Sequence, residues 1–295
     1  MARLSALAAA LWFAAASAVA AGEVHVDRKA PSPALGTDLP YSIYLPSGQP
    51  AGTRFPVVYL LHGFGAGQRE WLKGGRLEET LDRMIGAGEI APLIAVMPDA
   101  GKSWYVDSAR FNGPGDYETA ITRDLVAEID ARYPTLAGPA HRGIAGISMG
   151  GHGALRLAFA HPQVFSAVAA LSPGIWRPGG MSEATGPAVD PPEMQEKWFP
   201  RTTGETFDIG MFNRQSPFAH VGDLAEMEHP PAILLAVGDD DYWKLHDGTV
   251  ELYIELRRAG LRPELRVDNG GHDWKYWRRV SPDALSFLAG RIAPE

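Results

Sequence analysis

Short apolar runs alternate along this chain with longer segments in which apolar residues recur every three or four positions. The short runs predict buried strands, and the periodic segments predict amphipathic helices that pack on them. Strands are predicted at YSIYL (41–45), PVVYLL (56–61), PLIAVM (92–97), GIAGI (143–147), SAVAALS (166–172), AILLAV (232–237) and ELRV (264–267). Helices are predicted at 76–85, 116–133, 248–258 and 281–291, and a proline-rich lead-in lies near 30–40. This alternation indicates an α/β protein with a mainly parallel sheet covered by helices on both faces.

Residues 173–231 interrupt the alternation. Prolines and large apolar side chains are scattered through this stretch: Pro187, Pro191, Pro192, Pro200, Trp176, Trp198, Phe199, Met211 and Phe212. Because it leaves the carboxyl end of a predicted strand, where open α/β sheets bind ligands, we expect an irregular cap over a site. The alternative is a surface insertion that packs on itself. Residues 21–295, cap included, are predicted to form a single domain, because α/β domains often exceed about 200 residues.

The N-terminal segment is typical of export. Arg3 is followed by an Ala/Leu-rich run that ends in Ala18-Val19-Ala20, which predicts a cleaved secretory signal over residues 1–20. A transmembrane anchor is the alternative, but an alanine-rich run that ends in a small-residue cleavage site favours the signal. No later stretch is long and apolar enough to span a membrane. We therefore expect a periplasmic or secreted protein without a stable membrane anchor.

Composition narrows the possible partners and chemistry. The formal charge is −8, and removal of residues 1–20, which contain Arg3 and no acidic residue, makes it −9. An acidic chain without a block of Lys or Arg is not expected to bind nucleic acid. Cysteine is absent, which excludes disulfides, thiolate metal sites and a cysteine nucleophile.

The segment GIAGISMGGHGAL (143–155) places one serine among five glycines. Gly146, Ser148 and Gly150 form the pattern G-x-S-x-G, in which a strand turns sharply into a helix and exposes a strained serine. The predicted strand at 143–147 gives Ser148 this position. Ser148 is therefore the candidate nucleophile.

A serine nucleophile needs a histidine base, and that histidine needs an acid to orient it. In chains with this turn the acid and then the histidine follow the serine, at strand ends. GGHDW places His272 in a glycine-flanked loop after a predicted strand, and GDDD places Asp239, Asp240 and Asp241 after another. The remaining histidines fit other roles. Surface positions are expected for His141, His161, His220, His229 and His246, whereas His152 is expected to line the site or pack beneath it.

Backbone N–H groups that face the reacting carbonyl oxygen would complete such a site. One candidate donor is the N–H of Met149, which follows the serine, and the other is that of Phe64 in LLHGFGAG. Gly63, Gly65 and Gly67 do not form a dinucleotide-binding loop, because G-x-G-x-x-G requires a glycine at position 68, which is Gln68.

Five stretches resemble the esterase D-like branch of the α/β-hydrolases: LLHGFG, SWYVD, GISMGGHGALRLAFAHPQVFSAVAALSP, GDDD and GGHDW. That branch includes S-formylglutathione hydrolases, acetyl, feruloyl and tributyrin esterases, and mycolyltransferases. The resemblance implies an α/β-hydrolase fold without metal or cofactor. It also implies a triad of Ser148, Asp241 and His272 and an oxyanion hole formed by Phe64 and Met149.

These observations predict an exported serine carboxylesterase that forms an acyl-enzyme on Ser148. The alternatives are an acyltransferase or S-formylglutathione-hydrolase-like thioesterase of the same family, and a non-catalytic binding protein on the same scaffold. The expected substrate is a small-molecule or carbohydrate ester. Candidate substrate-binding residues are His62, Trp104, His152, Trp176, Trp243 and Trp274. The tryptophan rings could wall a sugar or an aromatic acyl group, or could serve only to pack loops.

Overall fold

The computed structural model describes residues 21–176 and 192–293. These residues form one eight-stranded sheet in the order β1-β2-β4-β3-β5-β6-β7-β8. The strands are Glu23–Ser32 (β1), Thr37–Leu45 (β2), Val57–Leu61 (β3), Ile94–Pro98 (β4), Arg142–Ile147 (β5), Ala167–Leu171 (β6), Ala232–Gly238 (β7) and Glu264–Asp268 (β8). Strands β3 to β8 run parallel. At one edge, β2 pairs antiparallel with β4, and β1 pairs antiparallel with β2. The predicted α/β class with a mainly parallel sheet is confirmed.

Helices cover both faces of the sheet. The α-helices are Glu70–Lys73 (α1), Leu77–Gly86 (α2), Tyr117–Thr119 (α3), Val126–Arg132 (α4), Met149–Ala160 (α5), Pro192–Trp198 (α6), Ile209–Gln215 (α7), Val221–Ala225 (α8), Leu245–Arg258 (α9) and Trp274–Ile292 (α10). A π-helical segment at Ala120–Leu125 joins α3 to α4, and short 3₁₀ turns lie at Ala109–Phe111, Pro139–His141 and Pro217–His220.

Strand β3 shows how the sheet divides the core into two layers. Val57, Tyr59 and Leu61 face one layer, which includes side chains of α4, α5 and α9. Val58 and Leu60 face the other layer, formed with α2 and α10. Side chains alternate between the faces of a strand, and a continuous apolar run is therefore needed when both faces are buried. Fully burying a side chain of this size stabilises the fold by about 1.5–3 kcal/mol.

The expectation of a lead-in near 30–40 is wrong. Those residues include the end of β1 and the start of β2, which pair as an antiparallel hairpin with Ser32 opposite Thr37. Strand β1 is absent from the predicted strands because Pro31 interrupts its pattern, which is mostly exposed. It forms nevertheless because it is the edge strand, where a residue without an N–H can be accommodated.

The last helix begins seven residues earlier than predicted, at Trp274 rather than at position 281. Asp273 caps its N-terminus by accepting the Tyr276 N–H at 2.9 Å. Pro282 suggests a helix start because proline favours the first turn, yet it lies inside α10. Because of this early start, the first turn of α10 contains Trp277, which contacts the His272 ring.

The part of the predicted cap at residues 192–231 is more regular than expected, because it contains α6, α7 and α8. Phe199, Phe207 and Phe212 form a cluster with ring centroids 5.1–5.6 Å apart, and Trp176 joins it 6.0 Å from Phe212. This segment therefore has an aromatic core of its own. The predicted signal at 1–20 and part of the predicted cap, 177–191, lie outside the described residues. None of the helices within the described ranges is long and apolar enough to cross a bilayer.

Candidate active site

Ser148 lies between β5 and α5 in a backbone conformation that few residues adopt, with φ 55° and ψ −120°. Its glycine neighbours permit this turn, because a Cβ on Gly146 would lie only 2.0 Å from the carbonyl oxygen of Gly150. The Ser148 carbonyl accepts the Gly174 N–H at 2.9 Å, which fixes the turn to the segment after β6. The surrounding structure thus holds Ser148 in a strained conformation at the carboxyl edge of the sheet.

Ser148, His272 and Asp241 form a hydrogen-bonded chain. The Ser148 hydroxyl lies 2.8 Å from His272 Nε2, and His272 Nδ1 lies 2.8 Å from Asp241 Oδ2. His272 is 9% exposed and Asp241 2% exposed, so water competes little for these contacts. A neutral imidazole with its proton on Nδ1 donates to the carboxylate and leaves Nε2 free to accept the serine proton. The three groups can therefore generate a serine nucleophile.

The sequence left three aspartates as candidates, and the structure separates them. Asp241 is the one that contacts His272, and its second oxygen accepts the Trp243 N–H at 2.9 Å. Asp239 is exposed and accepts the Gly270 N–H at 3.1 Å, whereas Asp240 is exposed to solvent.

Two glycines bring the acid loop and the histidine loop together. A Cβ on Gly238 would lie 2.0 Å from the Gly270 carbonyl oxygen, so the ends of β7 and β8 can approach this closely only without a side chain. The Asp240 N–H donates to that same carbonyl at 2.9 Å. Because β7 and β8 are parallel neighbours, the residues after them meet at one edge of the sheet.

Aromatic rings hold the His272 imidazole on two sides. Trp277 contacts it edge-on at 4.9 Å and Tyr242 at 5.7 Å. The Trp277 indole N–H donates to the Ser172 hydroxyl at 3.1 Å, which fixes the indole. Trp277, Tyr242 and Ser172 are not among the residues that the sequence motifs predict for the site. The helix predicted over 281–291 does not include Trp277. A helix that begins at Trp274 places Trp277 in its first turn, close to His272.

The two predicted oxyanion donors belong to residues near the serine: Met149 follows Ser148 directly, and Phe64 follows Gly63. Neither donates to an acceptor anywhere in the described ranges. The Phe64 loop approaches closely, since a Cβ on Gly63 would lie 3.7 Å from Ser148 Cβ, and a Cβ on Gly150 would lie 2.4 Å from the Leu61 carbonyl oxygen. Two unpaired donors near a nucleophile are suited to a developing oxyanion, for which each such donor contributes roughly 10²–10³ in rate.

Four aromatic side chains form a row that reaches the triad at Tyr242, 5.7 Å from the His272 ring, and we call this row the aromatic rim: Phe64, Trp198, Trp243 and Tyr242. Successive rings lie 5.0, 5.2 and 5.5 Å apart. Trp243 is 44% exposed and Tyr242 68% exposed, so both can meet a ligand. Trp198 belongs to α6, and the cap segment therefore contributes to the rim.

Two of the predicted substrate-binding tryptophans, Trp104 of the body and Trp176 of the cap, pack against the aromatic cluster of the cap. Trp104 is 6% exposed, stacks on Phe199 at 4.5 Å and donates its indole N–H to the Trp198 carbonyl at 2.6 Å. Trp176 is half-buried against Phe199 and Phe212. Their contacts join the cap to the body of the protein.

Three further predicted substrate-binding residues pack against other parts of the protein. His62 is 1% exposed and His152 3% exposed, so neither reaches the surface. Burial and the nearby Arg156 lower the pKa of His152 to about 3, which keeps its ring neutral as it packs edge-on against Trp104. Trp274 packs instead on α1, 5.5 Å from Trp71, because glycines at 74 and 75 leave room for its indole.

Comparison with known proteins identifies the family. A family model described as "Putative esterase" matches residues 32–288. The chain belongs to this esterase family. The resemblance to esterase D-like proteins is thus confirmed.

Three relatives of this esterase-family chain show the extent of the likeness. A protein named endo-1,4-beta-xylanase/feruloyl esterase from Xylanibacter ruminicola is 29% identical over 147 residues, which is 46% of this chain but only 20% of that protein. An acetyl esterase of Caldicellulosiruptor saccharolyticus is 25% identical over 240 residues, or 79% of this chain and 83% of that protein. A solved ferulic acid esterase, 29% identical, superposes with a TM-score of 0.75 over 92% of this chain and 99% of its own. The α/β-hydrolase fold is confirmed.

Proposed function

We propose that this protein is an exported serine carboxylesterase that hydrolyses an acyl ester through an acyl-enzyme on Ser148. The observation that carries the proposal is the chain of two 2.8 Å contacts from Ser148 through His272 to Asp241. Family membership and the relatives named acetyl esterase and feruloyl esterase support ester hydrolysis. Export rests on the signal predicted at residues 1–20.

The reaction proceeds in two halves. In the first, His272 Nε2 takes the hydroxyl proton as Ser148 Oγ bonds to the acyl carbon, and the N–H groups of Phe64 and Met149 donate to the resulting oxyanion. His272 then gives the proton to the leaving alcohol as the carbon–oxygen bond breaks. In the second half, a water molecule takes the place of the alcohol. His272 Nε2 takes a proton from the water as the water oxygen bonds to the acyl carbon, and gives that proton to Ser148 Oγ as the acyl bond breaks and the carboxylic acid leaves. Asp241 stabilises the imidazolium in both halves.

The aromatic rim supports a substrate that carries a ring. Aromatic side chains stack on apolar faces, so Trp243 and Tyr242 suit either a sugar or an aromatic acyl group. Feruloyl and acetyl groups are the acyl groups in the names of the relatives. We therefore propose a small-molecule or carbohydrate ester as the substrate class.

Active-site labelling tests the proposal directly. A fluorophosphonate probe is expected to modify the purified protein at Ser148, because only an activated serine reacts with it at a useful rate. Mass spectrometry of the peptide that contains residues 143–155 locates the adduct. Heat-denatured protein is the control. A folded protein that stays unlabelled would favour a non-catalytic binding protein on the same scaffold.

Activity is expected to persist after dialysis against a strong chelator. The cluster Asp239-Asp240-Asp241 lacks the spaced oxygen ligands of a calcium loop. Two of these carboxylates are already hydrogen-bonded: Asp239 accepts the Gly270 N–H, and Asp241 contacts His272 Nδ1. The measurement is turnover of a 4-nitrophenyl ester before and after dialysis. A large loss that added calcium or zinc restores would contradict the assignment of Asp241.

A further inference from the structure

The loop that carries Phe64 is fixed by side chains outside the proposed triad. We propose that Glu70 is a positioning residue: its carboxylate, with the Tyr105 hydroxyl, fixes the His62–Gly63 peptide and so aims the Phe64 N–H at the substrate's carbonyl oxygen. This inference rests on the proposed function, because it assigns a role within the same reaction.

The peptide between His62 and Gly63 is held at both ends. The Gly63 N–H donates to Glu70 Oε2 at 2.8 Å, and the Tyr105 hydroxyl donates to the His62 carbonyl at 2.9 Å. A peptide unit is planar, so two bonds on opposite sides fix its orientation. Hydrogen bonds to an ionised carboxylate are roughly twice as strong as those between neutral groups, which makes Glu70 the stronger of the two holds.

The next peptide, between Gly63 and Phe64, is held at its carbonyl end only. The Ala100 N–H donates to His62 Nε2 at 2.8 Å, so the imidazole proton is on Nδ1, which donates to the Gly63 carbonyl at 2.7 Å. Burial lowers the pKa of His62 and keeps this neutral form. In a trans peptide the N–H points away from the carbonyl, and the Phe64 N–H is therefore directed away from the His62 ring.

The two peptides contain two carbonyl and two N–H groups. The two carbonyls and the Gly63 N–H are hydrogen-bonded, which leaves the Phe64 N–H as the group available to a substrate. A preorganised donor costs no reorientation when the oxyanion forms, which is the source of its catalytic effect. Glu70 lies at the start of α1, and the Trp71 indole N–H beside it donates to the Leu61 carbonyl at 3.0 Å. The first turn of α1 therefore positions the loop from its beginning to Gly63.

The Tyr105 ring packs against α5 at Gly153, where the absence of a side chain leaves room for it. The ring is fully buried, and a Cβ on Gly153 would lie 2.4 Å from it. The backbone of Tyr105 has φ 60°, a strained conformation that its packing maintains. The position of this hydroxyl is thus determined by the core rather than by solvent.

The test compares Glu70→Ala with Glu70→Gln. Alanine releases the Gly63 N–H and is expected to lower kcat by about 10–100-fold, part of the roughly 10²–10³ that one oxyanion donor contributes. KM is expected to change less than about threefold, because the donor acts in the transition state. Glutamine retains an oxygen that can accept the Gly63 N–H, so Glu70→Gln is expected to keep most of the activity.

A second measurement separates positioning from general damage. A trifluoromethyl ketone forms an oxyanion on the serine, whereas the product alcohol is neutral and binds without forming one. Glu70→Ala is expected to weaken inhibition by the ketone in proportion to the loss in kcat and to leave product inhibition nearly unchanged. If Glu70→Ala does not fold, Tyr105→Phe, which removes only the hydroxyl, is expected to shift the same ratio of inhibition constants.

Asp82→Ala is the matched control. The Asp82 carboxylate on α2 also accepts a backbone N–H and a tyrosine hydroxyl, those of Gly22 and Tyr44, both at 2.8 Å. These partners belong to the β1–β2 side of the sheet, away from the proposed oxyanion hole. Its loss is expected to leave kcat and the ratio of inhibition constants unchanged, even if the melting temperature falls.

Three results would overturn the inference: unchanged kcat in Glu70→Ala, equal losses in Glu70→Ala and Glu70→Gln, or an equal loss in Asp82→Ala. Failure of the proposed function has a different signature. In that case the wild-type protein would not react with the fluorophosphonate probe at Ser148, and the role of Glu70 would fall with it.

Discussion

Ser148→Ala is expected to lower kcat for ester hydrolysis by about 10⁶-fold, as removal of the nucleophile does when a triad acts as a unit. The substitution removes only the hydroxyl group, whose hydrogen bond is to His272 Nε2. The fold is expected to persist, because the turn depends on Gly146 and on the backbone bond from Gly174. Turnover of a 4-nitrophenyl ester and the far-UV circular dichroism spectrum test the two parts of this prediction.

Ser166→Ala is the matched control for that substitution. Ser166 precedes β6 and so lies at the amino ends of the parallel strands, whereas Ser148 lies at their carboxyl ends. Its buried hydroxyl has no hydrogen-bond partner in the described part of the chain. Its replacement is expected to leave kcat within about twofold of wild type, since loss of an unpaired hydroxyl removes no bond. A Ser148→Ala protein that keeps a tenth of wild-type turnover would remove Ser148 from the mechanism.

Asp241→Asn is expected to lower kcat by about 10⁴-fold, as the corresponding change does in a serine protease. The Trp243 N–H donates to one Asp241 oxygen at 2.9 Å, so the asparagine carbonyl is expected to keep that bond. Its NH₂ group then faces His272 Nδ1, which can accept from it only without a proton. The imidazole proton moves to Nε2, and His272 can no longer take the proton of Ser148.

The neighbouring aspartates provide the comparison for Asp241→Asn. Asp240 is exposed, and Asp239 accepts the Gly270 N–H through an oxygen that asparagine also has. The same substitution at either position is expected to cost less than about tenfold in kcat, because neither carboxylate reaches the histidine. A severe loss in Asp240→Asn together with a mild one in Asp241→Asn would show that the acid has been assigned to the wrong residue.

Local patterns in the sequence predicted most of the parallel sheet. Runs such as the one that became β3 are apolar at every position because both faces of a central strand are buried. The edge strand β1 was not predicted, because it lacks a continuous apolar run. Its residues are mostly exposed, and an edge strand tolerates proline. The start of α10 was misplaced because Pro282 resembles a first-turn proline, whereas the cap at Asp273 is recognisable only from its bond to Tyr276.

Among the candidate site residues, the sequence selected Ser148 and His272, each next to glycines that permit an unusual turn or a close approach. It could not distinguish three adjacent aspartates on residue type alone, and it treated His62 as a substrate contact. His62 lies beneath the loop because its two ring nitrogens bond to backbone groups on either side of it. Such bonds depend on where β4 lies relative to β3, which no local pattern records.

The sequence by itself thus determined the alternation of strands and helices, the position of the serine turn and the order of the candidate residues, because each depends on neighbours within a few positions. The tertiary structure alone decided that Asp241 faces His272, that Trp277 supports the imidazole, and that Glu70 and Tyr105 hold the His62–Gly63 peptide. These contacts join residues from different loops at one edge of the sheet. Their geometry is set by the packing of parallel strands, whose carboxyl ends converge there.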